Sequence, residues 1–125
     1  MSVRRGVVAP FWLDRPAEEA LAMAPTAENL GYGEFWVGEM LHFDAFALAG
    51  AIAQATTRIT VTAGPVALGL RDPVSLAMGV GSVEVIGGRP ARLAIGSSSR
   101  AVVRAWHGRA HGGEAEKITE AIGLV

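Results

Sequence analysis

Cysteine is missing from all 125 residues of the sequence, which excludes a disulfide, a thiolate metal site and a cysteine nucleophile and is compatible with a reducing cytoplasm. Charge of one sign is also scarce: 11 basic and 12 acidic residues leave a formal net charge of -1, too little positive charge for a nucleic-acid footprint. No apolar run approaches the roughly 18 residues of a membrane span. We expect a cytoplasmic protein that binds neither nucleic acid nor a membrane.

Apolar residues make up 50% of the chain, and 16 residues are glycine. So large an apolar share fits strands that are buried on both faces, as in α/β proteins. Most glycines stand where a helix ends or a strand runs into a loop, so they punctuate structure and do not signal disorder. The length suffices for one domain with a modest core, whereas a (β/α)₈ barrel needs about twice as much. We expect a single domain over residues 1–125.

Strand and helix patterns alternate four times along the chain. The predicted strands cover 3–9, 34–38, 58–63 and 91–95, and the predicted helices cover 14–30, 44–56, 72–88, 100–106 and 114–125. Asp14, Asp44 and Asp72 mark predicted helix starts, because aspartate is favoured at the N-cap of a helix. Pro25 falls inside the first helix, so it either kinks that helix or separates two helices, the second of which is capped by Thr26.

Parallel strands joined by helices admit an open doubly wound sheet or a barrel, and periodicity alone does not choose between them. An open response-regulator-like sheet is expected to carry acidic residues after its first strand. This chain instead continues through Ala9 and Pro10 to Phe11 and Trp12. The two aromatic residues form either an apolar wall for a ligand or part of the core.

The turn Gly96-Ser97-Ser98-Ser99 lies between a predicted strand and a predicted helix. Backbone donors, hydroxyls and the positive helix end converge at such a turn, so a phosphate fits there. A plain helix-capping role for serine is the alternative. The turn is neither a Walker loop nor a dinucleotide fingerprint, since no lysine follows and the third glycine is missing.

Glu39 and His42 follow the second strand. A carboxylate and an imidazole at a strand end can exchange protons with a cofactor ring or a substrate. For His42 the alternative is an exposed loop histidine beside Asp44. His107 and His111 have the spacing of a helical zinc pair, but glycines break the helix and no glutamate stands between them, so we expect no metal site.

Four segments in order resemble the luciferase-like monooxygenases, and most of all the branch that uses 8-hydroxy-5-deazaflavin. They are residues 30–39, 58–66, 70–73 and 88–99, continued by Trp106-His107-Gly108. The resemblance implies a TIM-barrel type of α/β fold, (β/α)₈, of which only about the first four βα units are present, which makes a half barrel.

By the same resemblance, the cofactor is the deazaflavin coenzyme F420, with FMN as the alternative. Its ring is expected over the ends of strands 2 and 3, near Glu39 and against a backbone bulge at Ala63 and Gly64, and its phosphate at Gly96, Ser97, Ser98 and Ser99. The family often has a non-proline cis peptide at this bulge; a bend with any cis bond before Pro65 is the alternative. The chain departs from the family in having Glu39-Met40 in place of aspartate and histidine, and serine where some relatives have a carboxylate.

The implied function is a flavin- or deazaflavin-dependent oxidoreductase or monooxygenase that transfers a hydride or activates oxygen at a small-molecule substrate. The alternative is a truncated, non-catalytic remnant that keeps the fold. Four strands of a barrel leave strands 1 and 4 as unpaired edges and expose an inner face, which we expect to be apolar. We therefore expect a homo-oligomer or a pairing with a complementary half-barrel chain.

Overall fold

A computed structural model describes residues 4–10, 14–16, 18–39 and 43–125 of the chain. Its elements are β1 (Gly6–Val8), α1 (Glu19–Asn29), β2 (Glu34–Val37), α2 (Ala45–Ala55), β3 (Thr60–Ala67), α3 (Pro73–Gly87), β4 (Arg92–Gly96), a π-helix (Ala101–Trp106) and α4 (Glu114–Leu124). None of the helices in these ranges is long and apolar enough to cross a membrane.

The four strands form one parallel sheet in the order β1-β2-β3-β4. Each strand pairs with its neighbour in sequence across an intervening helix, as the first four strands of a (β/α)₈ barrel do. The predicted α/β half barrel is therefore confirmed. β1 and β4 are the edges of this sheet, as expected.

Two of the helices begin where aspartate predicted a cap. The Asp44 carboxylate accepts hydrogen bonds from the amides of Phe46 and Ala47 at 3.0 and 2.9 Å, and Asp72 accepts one from Ser75 at 2.9 Å. At the other end of α3, Gly88 adopts the left-handed conformation with φ 63°, which favours glycine. These caps satisfy helix-end groups that would otherwise lack partners.

The first helix differs from its prediction. It begins at Glu19 and not at Asp14, after a turn in which the Glu19 amide donates to the Pro16 carbonyl at 3.2 Å. Pro25 lies within one continuous helix. The Thr26 hydroxyl donates back to the Ala22 carbonyl at 2.9 Å, so Thr26 sits inside the helix and does not cap a second one.

The core lies between the sheet and its helices. Alternate strand residues point to opposite faces, and the helix-facing positions on β2 and β3 are the fully buried Phe35, Val37, Val61 and Ala63. The opposite, inner face carries Glu34, Trp36 and Arg92, joined by hydrogen bonds. The inner face of the described strands is therefore mixed, because Glu34 and Arg92 share it with apolar residues such as Trp36 and the half-exposed Val8, and the expectation of an apolar inner face holds only in part.

Two charged side chains fasten the amino-terminal edge of the sheet. The Glu28 carboxylate accepts from the amides of Thr57, Arg58 and Ile59 at 3.0, 2.6 and 2.8 Å. Burial raises the pKa of Glu28, but the three amides outweigh burial and lower the pKa to about 2. Arg89 donates to the carbonyls of Ala53 and Thr56 at 2.9 and 2.7 Å, at the end of α2. Both contacts hold the loops beneath the strands.

Candidate functional site

The carboxyl ends of the strands meet at one edge of the sheet, and the end of β3 is bulged there. Ala63 pairs with Leu93 and Val66 with Ile95, so β3 has one extra residue between these pairs. Gly64 has φ 147°, and a Cβ atom on it would lie 2.4 Å from the Ala94 carbonyl oxygen. Only glycine fits so close an approach of the two strands.

The bulge predicted at Ala63 and Gly64 is thus present, but β3 continues through Ala67, four residues past its predicted end. The cis peptide bond joins Gly64 to Pro65, so the non-proline cis peptide expected at the bulge is wrong and the alternative is correct. Strand pairing resumes beyond the bulge because Val66 and Ala67 find partners on β4. The Gly64-Pro65 sequence by itself predicts a strand end, because the pairing with β4 is not visible in that segment.

The predicted ring contacts Ala63 and Gly64 are both buried, and Ala63 packs on the helix side with none of its surface exposed. Val66 packs into the same core, whereas Pro65 is exposed between them. Alternation therefore puts Pro65 on the inner face. Pro65 and the bulged backbone, rather than the Ala63 side chain, are what β3 offers to a ligand.

Glu39 is tied to this bulge and to the next loop. Its amide donates to the Pro65 carbonyl at 3.1 Å, and its two carboxylate oxygens accept from the Arg71 Nε atom at 3.1 and 3.0 Å. Arg71 also bonds to Asp44 through Nη2 and lies 5.0 Å from the centroid of the Phe46 ring. The Glu39 carboxylate, with 14% of the side chain exposed, is therefore engaged by a guanidinium and not free.

The charges of this cluster stabilise one another. The hydrogen bond to Glu39 raises the pKa of Arg71, burial opposes this, and the bond to Asp44 raises the pKa further. Burial raises the pKa of Asp44, but the Ala47 amide and Arg71 together lower it below its ordinary value. Sequence reasoning gave Arg71 no role, although the residue lies in the Leu70-Arg71-Asp72-Pro73 segment that carried the resemblance.

The turn after β4 reaches the same edge, since the Leu68 amide donates to the Gly96 carbonyl at 3.0 Å. The Ser99 hydroxyl accepts from the Val102 amide at 3.2 Å, so Ser99 caps the following π-helix, as the alternative reading predicted. Ser97 is half-buried, Ser98 is exposed, and Ser98 has φ 59°. Ser98 is therefore the exposed serine of the turn whose hydroxyl does not take part in the cap.

Together these groups suit a ligand with a flat ring and a charged tail. Pro65 is an exposed apolar residue on the inner face, and the partly buried Trp36 indole lies on the same face with its nitrogen bonded to Glu34. The exposed turn with Ser98, next to the exposed Arg100, offers hydroxyl and guanidinium donors to a phosphate. These are the kinds of group that would contact a flavin-like cofactor with an aromatic ring and a phosphate tail.

His42, Phe11 and Trp12 lie outside the described residues. A His111 ring nitrogen lies 3.4 Å from the carbonyl oxygen of Ser98, in the turn after β4. Within the described ranges no cluster of histidine, aspartate and glutamate could hold a metal ion.

Comparison with known proteins gives a consistent result. The family model of luciferase-like monooxygenases matches residues 4–125. No curated protein matches significantly. Among solved structures, the oxygenating constituent of 3,6-diketocamphane monooxygenase from Pseudomonas putida, in complex with FMN, has a TM-score of 0.78 at 18% identity, covering 97% of this chain and 38% of that one.

Two further structures share the fold. The coenzyme F420 dependent tetrahydromethanopterin reductase from Methanopyrus kandleri has a TM-score of 0.77 at 17% identity, covering 96% of this chain and 38% of the reductase. EDTA monooxygenase from Chelativorans sp. BNC1 has a TM-score of 0.75 at 19% identity, covering 86% and 30%. This chain thus spans well under half the length of the proteins it resembles. By its match to the family model over residues 4–125, the chain belongs to the luciferase-like monooxygenase family.

Proposed function

We propose that the chain is the amino-terminal half of a luciferase-like oxidoreductase, in which a flavin or deazaflavin lies over the carboxyl ends of β2, β3 and β4. The carrying observation is that Glu39 is fixed to the Pro65 carbonyl at 3.1 Å, on the edge that also holds the turn after β4. A small-molecule substrate would react above the same edge, in keeping with the position of active sites in barrels. The cytoplasm is the proposed location, which a sequence without cysteine supports.

The cofactor would supply the hydride or the oxygen activation, while the chain supplies position. Pro65 and the backbone of Ala63 and Gly64 would support the ring. Gly96, Ser97, Ser98 and Ser99 would hold the phosphate of the tail through backbone amides and hydroxyls, Ser99 mainly by orienting the turn it caps.

Glu39 enters this proposal as a carboxylate held in place by Arg71. In that state it can accept a hydrogen bond from a ring or a substrate, and a proton carrier on the same loop is then His42. Both roles remain predictions from the sequence.

The preferred cofactor in this proposal is coenzyme F420, with FMN as the alternative. Support for F420 comes from the segments that resemble the deazaflavin branch, and one of the structural neighbours is named as F420-dependent. Support for FMN comes from another neighbour, whose structure contains it. Parallel fluorescence titrations with F420 and with FMN distinguish the two, because they compare the affinity of the chain for each cofactor.

A second candidate, a non-catalytic remnant, has its own support. The Glu39 carboxylate is already bonded to Arg71, and the turn after β4 contains serines and no carboxylate. A remnant would keep the fold without turnover.

The test is a fluorescence titration of the chain with F420 and with FMN, comparing wild type with Ser98→Asp. Aspartate tolerates the left-handed backbone at this position, so the variant adds a negative charge to the turn at little cost to folding. We expect saturable binding of one cofactor to wild type and about tenfold weaker binding to the variant, as loss of a charge-assisted contact would give. Ser82→Asp, on the exposed side of α3, is the matched control and should bind like wild type.

Two outcomes would contradict the proposal. No saturable binding of either cofactor at any protein concentration would leave the remnant as the better account. Equal binding by wild type and Ser98→Asp would show that the cofactor phosphate does not bind at the turn after β4.

A further inference from the structure

The inner face of the sheet carries an ion pair that spans three strands. Glu34, the first residue of β2, accepts from Arg92, the first residue of β4, across the intervening β3. The other oxygen of the Glu34 carboxylate accepts from the Trp36 indole at 3.2 Å. Both Glu34 oxygens are thus engaged and its side chain is 16% exposed, whereas the Arg92 side chain is 51% exposed. The guanidinium therefore has donors to spare on the open side of the sheet.

The positions of Glu34 and Arg92 along the barrel axis match a single layer of side chains in a closed barrel. Glu34 lies opposite Thr60 and Arg92 opposite Thr62, so the pair is offset by two residues over two strands. An eight-stranded barrel with a shear of 8 shifts by about one residue per strand. Each layer inside such a barrel takes four side chains from alternate strands. Glu34 and Arg92 therefore occupy two of the four places in one layer.

We propose that two copies of this chain close one eight-stranded barrel, and that the remaining two places are filled by Glu34 and Arg92 of the second copy. β4 of each copy would lie beside β1 of the other, which removes both free edges. Going round the barrel, the layer would read Glu, Arg, Glu, Arg. Every carboxylate would lie between two guanidiniums, and the spare donors of Arg92 would face an acceptor.

Charge is the reason to choose a second copy as the occupant. Closing the barrel removes the Glu34–Arg92 pair from water, which is costly unless further hydrogen bonds compensate. Apolar side chains at the two open places would leave the Arg92 donors unsatisfied. A second copy places the opposite charges where they are needed, with no net charge in the layer.

The free edge of β1 has room for the second copy. Next to this edge lies an apolar cavity of about 580 Å³ between β1 and α1, lined by residues that include Val7, Met23 and Tyr32. Pairing of β4 from the second copy would cover this side of β1. The same assembly would complete the ring of strand ends that the single chain leaves half built, so the candidate site would gain its far wall.

The test is sedimentation of the full chain over a concentration series, for wild type, Glu34→Arg, Arg92→Glu and the double exchange Glu34→Arg/Arg92→Glu. Wild type should be a dimer. Each single variant would give a layer of four like charges, and we expect the dimer dissociation constant to rise at least tenfold. The double exchange restores the alternation and should restore the dimer. Glu116→Arg, exposed on α4, changes the net charge as much as Glu34→Arg does and should sediment like wild type.

Mixing supplies a second readout if a single variant is poorly folded by circular dichroism. The Glu34→Arg chain and the Arg92→Glu chain should associate with each other more strongly than either does with itself, because the mixed layer is neutral. A wild-type monomer at every concentration would overturn the proposal. So would a dimer that neither single variant weakens, or a double exchange as weak as the single variants.

Discussion

Removal of Arg71 should destabilise the chain far more than removal of an ordinary surface arginine. Arg71 is 23% exposed and connects two carboxylates, that of Glu39 at 14% exposure and that of Asp44 at 50%. In Arg71→Met the apolar stem still covers Phe46, but the Glu39 carboxylate is left without its partner at a half-buried position.

The size of the effect follows from burial. Breaking a fully buried ion pair costs about 3–5 kcal/mol, and these groups are only partly buried, so we expect about 2 kcal/mol. Loss of the cation–π interaction between the Arg71 guanidinium and the Phe46 ring adds about 0.5 kcal/mol. Arg15→Met is the matched control, because Arg15 pairs with Glu19 at 53% and 34% exposure. Such a solvent-exposed pair contributes little to stability, so Arg15→Met should leave the free energy of unfolding nearly unchanged.

Urea unfolding followed by far-ultraviolet circular dichroism measures the free energies of unfolding. All variants need the same protein concentration, since an assembling chain gains stability with concentration. In a double-mutant cycle with Glu39→Gln, we expect a coupling energy of about 1–2 kcal/mol with Arg71. A loss in Arg71→Met no larger than that in Arg15→Met, or strictly additive effects in the cycle, would refute the reasoning.

Three further predictions concern the scaffold around the site. The pKa of Glu28 is lowered from 4.5 to about 2, which corresponds to at most about 3.4 kcal/mol and, after screening by solvent, to about 1–2 kcal/mol. This stability is present above pH 4.5 and is lost as the pH falls toward 2, so acid titration of Glu28→Gln should show a deficit at neutral pH that shrinks over that range. Gly64→Ala should lower the free energy of unfolding in urea by more than about 2 kcal/mol, because its Cβ would meet the Ala94 carbonyl oxygen at 2.4 Å. The control Gly31→Ala, at φ 83° with open space around it, should cost only about 1 kcal/mol. Equal losses in the two variants would contradict the close-approach argument. Arg89→Met removes the donors at the end of α2 and should lower the thermal midpoint by an amount equivalent to about 2 kcal/mol, whereas an unchanged midpoint would show that water replaces the guanidinium.

The features that the sequence predicted well are those whose cause is local. Asp44 and Asp72 cap helices through amides two or three residues away, and Gly88 ends α3 through its own backbone angle. The alternation of strands and helices is likewise predicted by hydrophobic periodicity within short segments. The fold class follows from these features together with the family resemblance.

The features that were missed depend on contacts between distant segments. Arg71 meets Glu39 across 32 positions of sequence, and β3 extends to Ala67 only because β4 pairs with it beyond the bulge. The charged pair on the inner face was also missed, since Glu34 at the start of a strand has no local partner that reveals Arg92. Contacts between distant segments, the register across the sheet among them, are not contained in any single segment.

The most direct test of the account is a nuclear magnetic resonance titration that locates the cofactor on the chain. With backbone amides assigned, FMN or F420 is added and the changes in chemical shift are mapped. We predict that the largest changes fall on Glu39, Val66 and residues 96–99, at the carboxyl edge of the sheet, while Tyr32 and Leu30 beside the β1–α1 cavity remain unchanged. Shifts confined to that cavity, or none with either cofactor, would contradict the central claim that the carboxyl ends of the strands form a cofactor site.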